Sequence, residues 1–135
     1  MGVIHSLSTF PNFALYFAAG TVLIALFLVL YSSLTPYREF VLIRQGNIAA
    51  AIALSGSLIG FALPLTSVIS HSVGMIDLGI WGLIALFVQL GGFLVARLML
   101  PRLPQAIEQG TVSDGIFVAG LSITLGLLNA ACMAG

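Results

Sequence analysis

Four long apolar runs dominate the chain, at 13–33, 47–70, 78–100 and 113–134, and short polar linkers separate them at 34–46, 71–77 and 101–112. Apolar residues cover every side of each run, so no face is reserved for water. Each run holds about 20 residues or slightly more, which at about 1.5 Å per residue crosses a hydrocarbon layer of about 30 Å. The runs contain two charges. Arg97 lies near the end of the third, where a long side chain reaches the headgroups, and Asp114 lies in the first turn of the fourth. The pattern predicts an all-α integral membrane protein, with four transmembrane helices in a single membrane domain over 1–135.

The pattern also repeats. Ile43, Gln45, Gly46, Ile52 and Gly56 return as Ile107, Gln109, Gly110, Ile116 and Gly120, an offset of 64 residues. Ile48, Leu54 and Ser55 return as the similar Val112, Val118 and Ala119, and Phe17 aligns with Trp81. The chain therefore reads as two parallel two-helix repeats, about 13–70 and about 78–134. Each crosses twice, so both have the same orientation about a pseudo-two-fold axis along the membrane normal. The second span carries small residues at spacing four (Ala49, Ala53, Ser57, and the Gly56/Gly60 pair), and the fourth carries Ser122, Gly126, Ala130 and Ala134. Close packing rather than hydrophobicity drives helix association in lipid, so Gly56, Gly60, Gly126 and Ala130 are the expected packing positions. The second and fourth spans should form the packed centre, within one chain or between copies, while the bulky first span faces lipid.

Composition sharpens this picture. Sixty per cent of residues are hydrophobic and 6% are charged, against about 25% charged in soluble domains. Lysine is absent, and four Arg balance four acidic residues. A neutral chain with no basic run offers no electrostatic footprint for nucleic acid. The single cysteine, Cys132, cannot form an intrachain disulfide. Arg38 and Arg44 lie in the first linker, and Arg97 and Arg102 flank the third. The positive-inside rule puts both linkers in the cytoplasm and both termini outside, periplasmic or extracellular.

The linkers carry local signals. Thr35-Pro36 has the form of a helix start, and 37–45 the form of a short interfacial helix that Gly46 ends. Asn47 should cap the second span, and Thr111-x-x-Asp114 resembles a capping box for the fourth. Asp77 reads as the cap of the third span and Glu39 as a first-turn acid after Pro36. Gln89 lies near the midplane and Asn129 in the outer part of the last span, where the first repeat has Ala25 and Leu65. Both suit interhelical hydrogen bonds or, with Asp114, the lining of a pathway. Pro64 should kink the second span and free the Gly60 carbonyl. His5, His71 and Asp77 share a side without any ligand spacing. No phosphate loop, nucleophile motif or intramembrane ionisable pair is present, so no enzyme activity, cofactor or metal is expected.

Thr35-Pro36-Tyr37-x-Glu39, then Ile43-x-x-Gly46-Asn47-x-Ala49-Ala50-Ala51-Ile52, with Gly56, Gly60, Asp77, Trp81, Arg97 and Gly110, resembles the YjfL-like family of small bacterial inner-membrane proteins (domain of unknown function 350). The resemblance implies a duplicated two-helix unit in the bacterial plasma membrane and an association with envelope systems. It transfers no catalytic or binding residue. Two functions are compatible with the chain. One is a non-enzymatic, homo-oligomeric scaffold or accessory component, with Arg38, Glu39, Arg44, Arg102 and Glu108 as a cytoplasmic surface for a protein partner. The other is a small oligomeric channel or transporter for an ion or small solute, lined by Gln89, Asn129 and Asp114.

Overall fold

The computed structural model describes residues 2–134, and these form helices and turns without a strand. Four long helices, α1 (Gly2–Leu34), α3 (Ile48–His71), α4 (Met75–Met99) and α6 (Val112–Ala134), alternate with two short ones, α2 (Glu39–Arg44) and α5 (Leu103–Glu108). Each long helix contains a stretch long and apolar enough to cross a membrane: Thr9–Leu34, Ile48–His71, Met75–Met99 and Val112–Met133. Connectivity puts α2 and α5 at one end of the bundle and the α3–α4 turn at the other.

The boundaries differ from the sequence expectation at several points. α1 begins well before residue 13, because the preceding residues carry no charge run or glycine stop and Pro11 is accommodated inside the helix. α4 begins at Met75, so Asp77 is a first-turn residue that accepts the Val73 N–H at 3.1 Å, not the N-cap itself. α2 is shorter than 37–45, and its N-cap, Arg38, makes no side-chain capping bond. Thr35 does not cap it either, since its hydroxyl donates to the Glu39 carboxylate. α5 was not expected among so many prolines. Pro104 falls in its first turn, where the missing N–H costs nothing.

α2 and α5 end in the same way. Gly46 and Gly110 have φ of 86° and 80°, the left-handed region that glycine enters freely. Gly46 N–H donates to Ile43 O at 3.0 Å and Asn47 N–H to Leu42 O at 2.9 Å. Gly110 and Thr111 repeat this with Ile107 O at 3.0 Å and Ala106 O at 2.9 Å. These are two Schellman turns, which satisfy the last carbonyls of each short helix. Asn47 then caps α3 by accepting the Ala50 N–H at 2.9 Å.

The core is built around α3, and its closest neighbour is α6. A Cβ on Gly115 would lie 2.5 Å from Ala49 O, one on Gly56 would lie 2.2 Å from Ala119 Cβ, and one on Gly126 would lie 2.1 Å from Gly60 O. The contacts advance together along both helices, so α3 and α6 run side by side in the same direction. The Gly60 carbonyl, which loses its helical donor to Pro64, faces Gly126 closely enough that a Cβ there would collide with it. α6 is less central than α3: 22% of its apolar window is buried, against 56% for α3. α1 packs across the other side through aromatic stacking of Phe27 on Phe61 and through Leu23 against Gly82, and most of its surface remains exposed.

Candidate functional site

The buried polar side chains of the described residues are Thr35, Glu39, Ser57, Gln89, Ser122 and Asn129. They lie on one series through the bundle, joined by the hydroxyls of Tyr31 and Tyr37. At the α2/α5 end, the α1–α2 turn folds Glu39 inward until its side chain is 3% exposed, held by the Thr35 hydroxyl. Tyr37 lies beside it. Burial pushes the Tyr37 hydroxyl pKa up, the neighbouring Tyr31 and Glu39 add to this, and the Arg97 guanidinium opposes it, so Tyr37 stays neutral at physiological pH. Arg97 donates to Leu34 O at 3.1 Å, closing the carbonyl end of α1 with a positive charge.

Further along, Tyr31 is 1% exposed, and its ring stacks on Phe27 at a centroid distance of 5.8 Å and meets Phe93 at a tilt at 5.0 Å. Its hydroxyl lies near those of Ser57 and Tyr37 and makes no hydrogen bond of good geometry. Ser57 faces Ser122 across the α3–α6 contact, with the oxygens 3.4 Å apart. Gln89 reaches from α4 to donate through Nε2 to Ser122 O at 3.2 Å, and its Oε1 has no partner. One turn along α4, Ala85 O accepts from Asn129 Nδ2 at 3.3 Å. At the far end, the Ser67 hydroxyl donates to Ala130 O at 3.2 Å, and a cleft of about 270 Å³ opens between Ser67, His71, Asp77, Trp81 and Cys132.

This arrangement redistributes the residues singled out from sequence. Gln89 and Asn129 are brought together, both bridging α4 and α6. Asp114 is not with them. It sits in the first turn of α6, fifteen residues and about 22 Å before Asn129 at about 1.5 Å rise, beside the Ser113 hydroxyl at 3.4 Å. Gly56, Gly60 and Gly126 are buried at the α3–α6 contact of a single chain, and Ala130 contributes its carbonyl there. Arg38, Arg44, Arg102 and Glu108 are exposed at the α2/α5 end. Glu39 does not belong with them: it is buried, because its carboxylate is turned to the Thr35 hydroxyl instead of solvent. Among the described residues no group of three or more potential metal ligands converges, and the His5 side chain lies outside the described residues.

Tyr31, Ser57 and Ser122 are site residues that the sequence reading does not single out, and Glu39 belongs to this buried series instead of the exposed surface. A signal for them exists in the sequence. At the 64-residue offset Tyr31, Thr35, Glu39 and Ser57 face Val95, Met99, Leu103 and Leu121. Gln89, Ser122 and Asn129 face Ala25, Leu58 and Leu65. Every polar member of the series has an apolar counterpart, so divergence between the halves marks it.

The α2/α5 end also has a fixed geometry. Asn47 Nδ2 donates to Ile107 O at 2.8 Å and Glu108 O at 3.3 Å, while its Oδ1 caps α3. One amide thus ties the end of α5 to the start of α3.

Comparison with known proteins agrees with this architecture. A family model described as Domain of Unknown Function (DUF350) matches residues 5–133. The UPF0719 inner membrane protein YjfL of Escherichia coli (strain K12) is 38% identical over 129 residues, covering 96% of this chain and 98% of that protein. The UPF0719 transmembrane protein YshE of Bacillus subtilis (strain 168) is 26% identical over 120 residues, covering 87% and 90%. No solved structure matches.

Proposed function

The chain belongs to the DUF350 family of membrane proteins, and on that premise we propose that it is a non-enzymatic, multi-pass component of the bacterial plasma membrane that holds a soluble protein partner at its cytoplasmic face. The observation that carries this reading is the Asn47 tie. It ties the end of α5, with Arg102 and Glu108, to the start of α3, and the Gly46 turn joins that same point to the end of α2, with Arg44. A rigid, net-positive platform suits a partner with an acidic surface, because pre-organised charges lose little entropy on binding.

The rest of the reading follows from this premise. All four arginines lie at the α2/α5 end, which the positive-inside rule assigns to the cytoplasm, with both termini periplasmic or extracellular. The matching Schellman turns at Gly46 and Gly110, and the parallel contact of α3 with α6, support two repeats of the same orientation. The exposed apolar face of α6, with Ile116, Phe117, Leu127 and Leu128, is covered by lipid and by further copies in a homo-oligomer.

The test is photo-crosslinking from position 105 in cells, since Gln105 is exposed beside Arg102. A discrete crosslinked protein that disappears in an Arg44→Glu, Arg102→Glu variant supports the platform. Crosslinks to lipid alone, or a protein adduct indifferent to charge reversal, contradict it. A second reading, a channel or transporter, is favoured by a separate observation, the buried polar series from Glu39 to Asn129.

A further inference from the structure

We propose that the buried polar series is a proton-transfer path contained within one chain. The inference rests on the second reading above and names its solute. Two buried polar atoms are left without a well-formed hydrogen bond: Gln89 Oε1 has no partner, and the Tyr31 hydroxyl lies beside those of Ser57 and Tyr37 without a bond of good geometry. A buried polar group left unpaired is costly, and water is the partner that small polar sites recruit. Both atoms lie on the same series, on either side of the Ser57–Ser122 contact. One water at Tyr31 and one at Gln89 complete a line of exchangeable protons from Glu39 to the middle of the bundle.

The packing decides what travels along it. Ser57 and Ser122 meet where α3 and α6 touch backbone to backbone, with no room for a Cβ at Gly56, Gly60 or Gly126. A hydrated ion or an organic solute does not fit through such a contact. A proton needs only the oxygens. Each hydroxyl accepts a proton on a lone pair and releases its own to the next oxygen, so none keeps a charge and rotation about the C–O bond resets the line. The amide of Gln89 stays neutral and orients the water that carries the step. At the α2/α5 end the line reaches the Glu39 carboxylate, with the Thr35 hydroxyl and Tyr37 beside it and Arg97 near Tyr37. In the outer half, Asn129 of α6 donates to Ala85 O, one turn of α4 beyond Gln89, and the cleft lined by Ser67, His71, Asp77 and Cys132 lies further toward that end of the bundle.

No member of the series has a polar counterpart 64 residues away, and its links across α3, α4 and α6 lie within one chain. It therefore requires no second copy. This separates it from a pore between subunits.

The purified protein is reconstituted into liposomes that contain a pH-sensitive dye, and a valinomycin-set potassium potential drives protons inward. The expected result is acidification faster than in protein-free liposomes. Tyr31→Phe and Ser57→Ala should slow it at least tenfold, toward the protein-free rate, while Thr124→Ala on the exposed face of α6 should leave it unchanged. If Ser57→Ala fails to elute as a folded species, Tyr31→Phe carries the test, because it removes only the hydroxyl and keeps the ring contacts with Phe27 and Phe93. Wild-type acidification no faster than in protein-free liposomes overturns the proposal, as does a flux indifferent to Tyr31→Phe. Glycerol permeation is measured in the same liposomes, and potassium permeation in matched liposomes without valinomycin. Passage of either without protons overturns the proton path and keeps the transport reading, whereas silence for all three removes both.

Discussion

Positions 64 residues apart behave in two opposite ways. At the ends of α2 and α5, Gly46 and Gly110 are the same residue, with the same left-handed backbone and the same pair of closing hydrogen bonds. Along the buried polar series nothing is shared: Glu39 faces Leu103, Ser57 faces Leu121, and Gln89 faces Ala25. The difference teaches what each kind of position answers to. A Schellman turn is a backbone demand, and glycine meets it best wherever it recurs. A buried hydrogen bond answers to one particular neighbour, and a bundle with one buried polar series needs those residues once. Identity at the offset is also no guarantee of equal work. Gly56 is pressed against Ala119, whereas its counterpart Gly120 has nothing within 4 Å, because α3 is central and α6 exposes its far side.

The largest effect should come from that last pair. Gly56→Leu must displace the α6 backbone and should cost about 3 kcal/mol or more, with loss of a monodisperse peak in mild detergent. Gly120→Leu should leave elution and melting close to wild type. Equal damage at both positions would break the comparison. Asn47→Ala comes next, at about 1–2 kcal/mol, because it removes a helix cap and the tie to α5 together. Asn47→Asp separates the two roles: it keeps the cap and loses the donor, and places a negative charge beside the α5 carbonyls. Denaturation of the three proteins in mixed micelles checks the order, with Asn47→Asp below wild type.

Gly46→Ala and Gly110→Ala should each cost about 1 kcal/mol, since a Cβ is unfavourable at positive φ. Similar shifts in melting temperature at the two sites would support equivalent turns, and a shift at only one would break the equivalence. The smallest effect is expected from pH. The Tyr37 pKa is raised above its unfolded value of 10.0 by burial. Its contribution to stability is therefore complete below pH 10 and is lost as pH rises further. Wild type should destabilise above pH 10 more steeply than Tyr37→Phe, a difference that a melting series from pH 8 to 11 measures.

Much of this was legible before the structure. The four spans follow from apolar runs free of charge except at their ends, and the glycine stops and the Asn47 cap follow from local backbone chemistry. Gln89 stood out because a lone amide near the midplane is conspicuous. Glu39 did not, because a carboxylate between Arg38 and Arg44 in a short linker has the look of a solvated surface. Its burial depends on Thr35 turning away from a capping role, which sequence spacing does not reveal. In sequence Ser57 and Ser122 are members of small-residue stripes, and their pairing depends on the register of α3 on α6. α1 extends beyond its apolar run toward the N-terminus, since hydropathy falls off before the helix does.

The central claim is that α3 and α6 of one chain form the close contact on which both the framework and the polar series depend. A Ser57→Cys, Ser122→Cys pair in a Cys132→Ser background tests it, because the two serine oxygens are 3.4 Å apart across that contact. On oxidation in native membranes, followed by non-reducing electrophoresis and peptide mapping, the account predicts a crosslink confined to the monomer band. A crosslink found only between two chains, in the dimer band, would contradict it.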